Sequence, residues 1–186
     1  RPIMQEVFGA VLEWRMHVNA QIDAGKLRWT DTRLYVYVSG HGYAANGSDA
    51  ALLTADASQH ALYGVSLAKL RDFLEESQEF REIVVFADCC REQIPGAQEL
   101  SRPPWPSELS PGREGGTRCI LWLATPFGAR AYEPPGKHDN GQAEHGYFTQ
   151  ALLDGLRGGA AKGGVIDSTE LSAFIERRVA ELLPPG

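Results

Sequence analysis

This chain holds three cysteines and five histidines, and one of each stands where a fold could put it to use. His41 lies between Gly40 and Gly42, directly after the apolar run Leu34 to Val38, and Cys90 follows Ile83 to Ala87, Asp88 and Cys89. A free thiol, with a pKa of about 8.5, is only a few per cent thiolate near neutrality, and a neighbouring imidazolium can lower that pKa to about 3.5 to 7.5. A Cys and a His brought together are therefore the minimum for nucleophilic thiol chemistry. Gly42 has no Cβ to block its backbone N–H, so that N–H and the N–H of Cys90 could together hold a tetrahedral oxyanion.

Each residue also has an ordinary reading. A single buried Cys is more often packing than a nucleophile, and a lone His beside a turn is more often structural than a base. It is the pair that carries the chemistry. Side chains alternate faces along a strand, so Asp88 and Cys90 point one way and Cys89 the other. Cys90 is thus the expected nucleophile, with Cys89 packed behind the site and Cys119 in a core strand. His145, also followed by glycine, is the rival base, but it precedes a helix rather than ending a strand. No cysteine spacing suits a zinc site, and neither a metal nor a cofactor is called for. A vicinal disulfide between Cys89 and Cys90 stays open and needs no histidine.

The elements that must position this pair can be read from periodicity. Ile3, Val7, Phe8, Val11, Leu12 and Val18 recur at helical spacing between residues 3 and 24, with Gly25 as a stop. Leu34 to Val38, Ile83 to Ala87 and Cys119 to Ala124 read as buried strands. Ser66 caps a helix bearing Leu67, Leu70, Phe73 and Leu74. A helix over residues 148–156 places Phe148, Leu152 and Leu156 on one side. The last helix starts near Asp167 and buries Leu171, Phe174, Ile175, Val179 and Leu182. Strands alternating with helices predict an α/β domain with a largely parallel sheet covered on both faces. In such sheets ligands bind beyond the carboxyl ends of the strands, where His41 and Cys90 both stand. They lie side by side if their strands are neighbours, as sequential strands usually are.

Composition bounds the rest. The 186 residues are 43% hydrophobic and 23% charged, which fits a single globular domain. A net charge of −6 without a basic run argues against a nucleic-acid partner. No apolar stretch reaches the roughly 18 to 20 residues that span a bilayer, and no signal peptide is visible. Three cysteines, two of them adjacent, do not make a disulfide framework, so a reduced, cytoplasmic setting is expected. The chain begins at Arg1, as a processed or excised piece would. Residues 91–117 hold five prolines and four glycines and no apolar period, so a mobile, protease-accessible loop is expected there.

The segment Tyr37, Val38, Ser39, Gly40, His41, Gly42 resembles the histidine motif of the caspase and metacaspase superfamily of cysteine proteases. Asp88, Cys89, Cys90, Arg91 resembles its cysteine motif, and the 49-residue separation is close to the roughly 50 of a caspase signature. Ala124, Thr125, Pro126 to Tyr132, Glu133 is similar to the family's substrate-groove strand, and Gly146, Tyr147, Phe148 to Leu156 to the helix that follows it. The metacaspase His-Ser-Gly after the nucleophile is replaced here by Arg91, Glu92, Gln93, although caspases also carry Arg at that position. The resemblance implies the caspase-hemoglobinase type of three-layer α/β sandwich, with the family's first strand or two missing upstream.

It also implies a cysteine endopeptidase acting on a protein or peptide in regulated proteolysis, such as cell death or defence, and switched on by another domain or a partner. A catalytically silent interaction domain is the alternative. Calcium dependence stays open, since no compact acidic loop demands it. Caspases hold an Asp side chain with basic groups. Here Asp88 and Ser39 each stand two residues before a dyad member, which favours Arg or Lys before the scissile bond. Glu133 would add to that preference, whereas an inward Arg130 would reverse it toward Asp. Many family members are cut in the connection after the nucleophile; here Arg113 is the expected self-cleavage position, since Gly and Glu follow it.

Overall fold

The structure, a computed structural model, describes residues 2–44, 47, 49–58, 63–94, 116–132 and 146–184. These form two compact units, residues 1–130 and 131–186.

In the first unit, strands β1 (Arg33–Gly40), β5 (Glu82–Cys89) and β6 (Arg118–Leu123) form a parallel sheet in the order β1-β5-β6. Three short strands, β2 (Gly42–Tyr43), β3 (Ala51–Leu53) and β4 (Gly64–Ser66), form a separate antiparallel sheet. The β-branched and aromatic runs that predict strands thus make the central sheet, and the neighbours are those expected.

One face of the parallel sheet carries Leu34 and Val36 from β1, Ile83 and Val85 from β5, and Cys119 and Leu121 from β6. Two helices cover it, α1 (Met4–Asp23) through Val7, Val11, Leu12 and Val18, and α2 (Leu67–Ser77) through Leu70, Phe73 and Leu74. Trp14 of α1 stacks on Phe80 with ring centroids 4.9 Å apart. The start of α2 follows the expected capping, since Ser66 Oγ accepts from the Lys69 N–H at 3.2 Å. Asp49, a buried residue far away in sequence, reinforces that end. Its carboxylate accepts from the N–H groups of Ala50 and Ala68 and from Ser66 Oγ.

A buried ion pair joins α1 to the entry of β5. Glu79 is 1% exposed, and its carboxylate takes Arg15 Nη2 at 2.6 Å, Arg15 Nε at 2.9 Å and Asn19 Nδ2 at 2.9 Å. The Arg15 guanidinium also lies 4.4 Å over the Phe73 ring.

The second unit pairs α3 (Tyr147–Asp154) with α4 (Ser168–Leu182). α4 starts beside Asp167 as expected, and Asp167 caps it, accepting from the N–H groups of Thr169 and Glu170. The regular helix stops at Asp154, two residues short of the expected end. A wider turn over Gly155–Gly159 replaces the last residues and leaves Leu156 exposed. The close approach of α4 accounts for the glycines here: a Cβ on Gly159 would lie 2.6 Å from the Phe174 ring, and one on Gly155 2.8 Å from Leu171.

Removing one partner of a buried ion pair leaves the other charge unsatisfied, at a cost of about 3 to 5 kcal/mol. Arg15→Ala should therefore lower unfolding free energy in urea by about 3 kcal/mol, and Arg15→Met with Glu79→Gln together should cost less than Arg15→Ala alone. Equal losses would mean that the pairing contributes nothing specific.

Candidate active site

The site is set by how β1 and β5 pair. Their parallel register places Ser39 opposite Asp88 and Gly40 opposite Cys89. The pairing ends there, and His41 and Cys90 are the next residue after each strand. Both residues leave the sheet at its carboxyl edge.

The backbone after His41 is pressed against the Cys89 and Cys90 segment. A Cβ on Gly42 would lie 2.7 Å from the Cys90 carbonyl oxygen and 2.9 Å from Cys89 Cβ, so only glycine permits this approach. Gly42 faces Leu52 on β3, and the Leu53 N–H donates to the His41 carbonyl at 2.8 Å. That makes Gly42 and Leu52 a non-hydrogen-bonded pair of the antiparallel ladder, which directs the Gly42 N–H away from β3. His41 itself is exposed and Cys90 half-buried.

The pleat separates the thiols as strand parity predicts. Cys89 points to the helix-covered side, 1% exposed among Ala50, Leu67 and Ala87. Burial raises its pKa to about 12, and the nearby Cys90 and Asp88 add to the shift. Cys119 lies on the same face, and burial pushes its thiol up to about 11. Asp88 is on the opposite face and is buried, in register with the exposed Ser39.

Arg130, expected as the residue that could reverse the sign of the pocket, donates through Nε to Glu92 Oε1 at 2.5 Å. The segment similar to a groove strand makes no strand over residues 124–132. Pro126 lacks an N–H, Gly128 has φ +82°, and the Ala129 N–H donates to the Pro126 carbonyl, which together bend the chain into a turn. Glu133, His145 and Arg113 lie outside the described residues, as does 95–115 of the long connection.

Sequence reasoning placed Arg91 in the cysteine motif without giving its side chain a role, and it missed Asp49. The Arg91 guanidinium is buried and donates to the carbonyls of Gly47 at 2.8 Å, Asp49 at 3.2 and 3.3 Å, and Thr125 at 3.2 Å. Adjacency to Cys90 was the available signal for Arg91. Asp49 offered none, because its partners lie 17 and 19 residues further on.

Among the described residues no group of three His, Cys, Asp or Glu side chains is gathered as a metal site, and no helix is long and apolar enough to cross a membrane. A cavity of about 460 Å³ lies at the other end of the sheet, where Arg33, Glu82 and Arg118 are aligned across the three strands. It is remote from the carboxyl edge on which the chemistry-bearing residues converge.

The raised thiols have a pH signature. Below pH about 9 folded and unfolded chains both keep the Cys89 proton; between about 9 and about 12 only the folded chain does, so stability falls as pH rises. Unfolding free energy measured in urea at pH 8, 9 and 10 should fall less steeply in Cys89→Ala than in the parent. Parallel slopes would show that burial does not hold this thiol neutral.

Residues 24–183 match the family described as Caspase domain, a peptidase family. A probable protease of a Desulfuromonadales bacterium is 36% identical over 133 residues, covering 68% of this chain. The chain spans 15% of the length of that curated relative. With a parallel α/β sheet and its histidine and cysteine motifs ending adjacent strands, the chain belongs to the caspase-domain family.

Proposed function

We propose that this chain is a cysteine endopeptidase domain in which Cys90 is the nucleophile and His41 its acid and base. The observation that carries the reading is the register of β1 on β5 together with the close approach of Gly42 to Cys90. The Cys90 thiolate attacks the scissile carbonyl carbon, and the carbonyl π electrons move onto oxygen. The Gly42 and Cys90 N–H groups take up that negative charge, the first being directed away from β3 and so available to substrate. His41, protonated by the thiol, gives its proton to the leaving amine as the C–N bond breaks. A water molecule, deprotonated by His41, then attacks the thioester, and the Cys90 sulfur leaves.

Cleavage follows Arg or Lys. Buried Asp88 stands on the face of β5 opposite α1 and α2, beside Ser39, where a carboxylate would attract a cationic side chain through charge-assisted hydrogen bonds. Arg130, which would favour an acidic side chain, is engaged by Glu92. The natural setting is regulated proteolysis in the cytoplasm, such as cell death or defence, under control of a further domain or a partner. The small share of its relative that this chain spans leaves ample length for such a domain.

Peptidyl acyloxymethyl ketones ending in Arg or in Asp discriminate these readings by intact-mass labelling of the parent and of Cys90→Ala. The Arg probe should label the parent at least about tenfold faster than the Asp probe, as one hydrogen bond to a charged group would give, and should not label Cys90→Ala. Faster labelling by the Asp probe would overturn the basic preference, and no labelling by either would mark a silent interaction domain.

A further inference from the structure

We propose that Arg91 is a positioning residue for the dyad, a role that rests on the endopeptidase reading above. Its guanidinium is 6% exposed, and among the described residues its hydrogen bonds go to backbone carbonyls and to no carboxylate. Those carbonyls belong to two separate segments. Gly47 and Asp49 lie in the connection from β2 to β3, the hairpin that opens with Gly42 directly after His41. Thr125 lies in the turn after β6.

The backbone of Arg91 binds that same turn, its N–H donating to the Ala129 carbonyl at 2.9 Å and its carbonyl accepting from Gly128 at 3.0 Å. Phe127 of the turn has its ring centroid 6.0 Å from the guanidinium carbon. One side chain, attached to the residue after the nucleophile, therefore ties the histidine hairpin and the post-β6 turn to the nucleophile segment.

The planar fork suits this task. Nε and Nη2 both reach the Asp49 carbonyl, Nη2 also reaches Gly47, and Nη1 points to Thr125. A lysine ammonium carries the same charge but not three donor nitrogens in one plane. Asp49 extends the tie, because its carboxylate is fixed by Ser66 and by the first turn of α2. Arg91 thus fixes where His41 stands relative to the Cys90 sulfur, and hence the rate of the bond-making step, without touching substrate.

The test uses Arg91→Lys and Arg91→Gln beside the parent, with kcat and KM on a peptide amide and thermal unfolding of each protein. Both variants should stay folded at the assay temperature. Displacing catalytic groups by about 1 Å costs on the order of 100-fold, so kcat should fall about 100-fold in Arg91→Lys, while KM stays within about threefold. An active parent whose folded Arg91→Lys keeps its kcat, or loses only KM, would overturn the proposal and leave the peptidase reading standing. Failure of both variants to fold would make Arg91 a purely structural residue and overturn it too. A parent inactive on every peptide would overturn the peptidase reading itself, and this inference with it.

Discussion

The parallel pairing of β1 with β5 is the constraint on which the candidate site depends. Parallel strands in register end together, so a residue just beyond one strand stands beside its counterpart beyond the other. A slip of one residue would turn Asp88 onto the helix-covered face and Cys89 onto the opposite one. The register is held along its length by the apolar pairs Leu34 with Ile83, Val36 with Val85 and Val38 with Ala87, all facing the helix-covered core. Chemistry at the edge thus depends on packing in the middle. Gly42 completes the arrangement, since a larger residue there would force the His41 segment off the end of β5.

Burial does the complementary work of silencing the other thiols. An ionised thiolate on the α1 and α2 face would lose its hydration, a loss that outweighs the pull of Arg91 on Cys89 and of Arg71 on Cys119, so both keep their protons far above neutrality. Cys90, one residue past the strand, escapes that layer. The same alternation that fills the core therefore sorts three chemically identical groups into two inert ones and one candidate nucleophile, at no cost beyond the pleat itself.

Much of this was legible in the sequence, and the parts that were not share a cause. The three long strands announced themselves as β-branched and aromatic runs, and the glycine-flanked His41 and the Asp88, Cys89, Cys90 ending marked the carboxyl edge. Local signals also placed the cap at Ser66 and the start of α4 near Asp167. What escaped were partnerships between residues far apart in the chain: Arg15 with Glu79, Asp49 with Ser66, and Arg91 with Gly47, Asp49 and Thr125. No periodicity encodes such pairs, because each member looks like an ordinary surface residue until the fold buries it. The early end of α3 was hidden for a related reason: Gly155 and Gly159 answer to the approach of α4, which the local sequence does not report.

The central claim is that His41 and Cys90 act as one unit. A double-mutant cycle on peptide cleavage, with kcat/KM for the parent, His41→Ala, Cys90→Ala and the double variant, addresses it directly. Groups that act together in one step are strongly non-additive, so each single variant should lose at least about a thousandfold, and the double variant no more than the worse single one. A His41→Ala enzyme that retains its rate, or two losses that multiply in the double variant, would contradict the account.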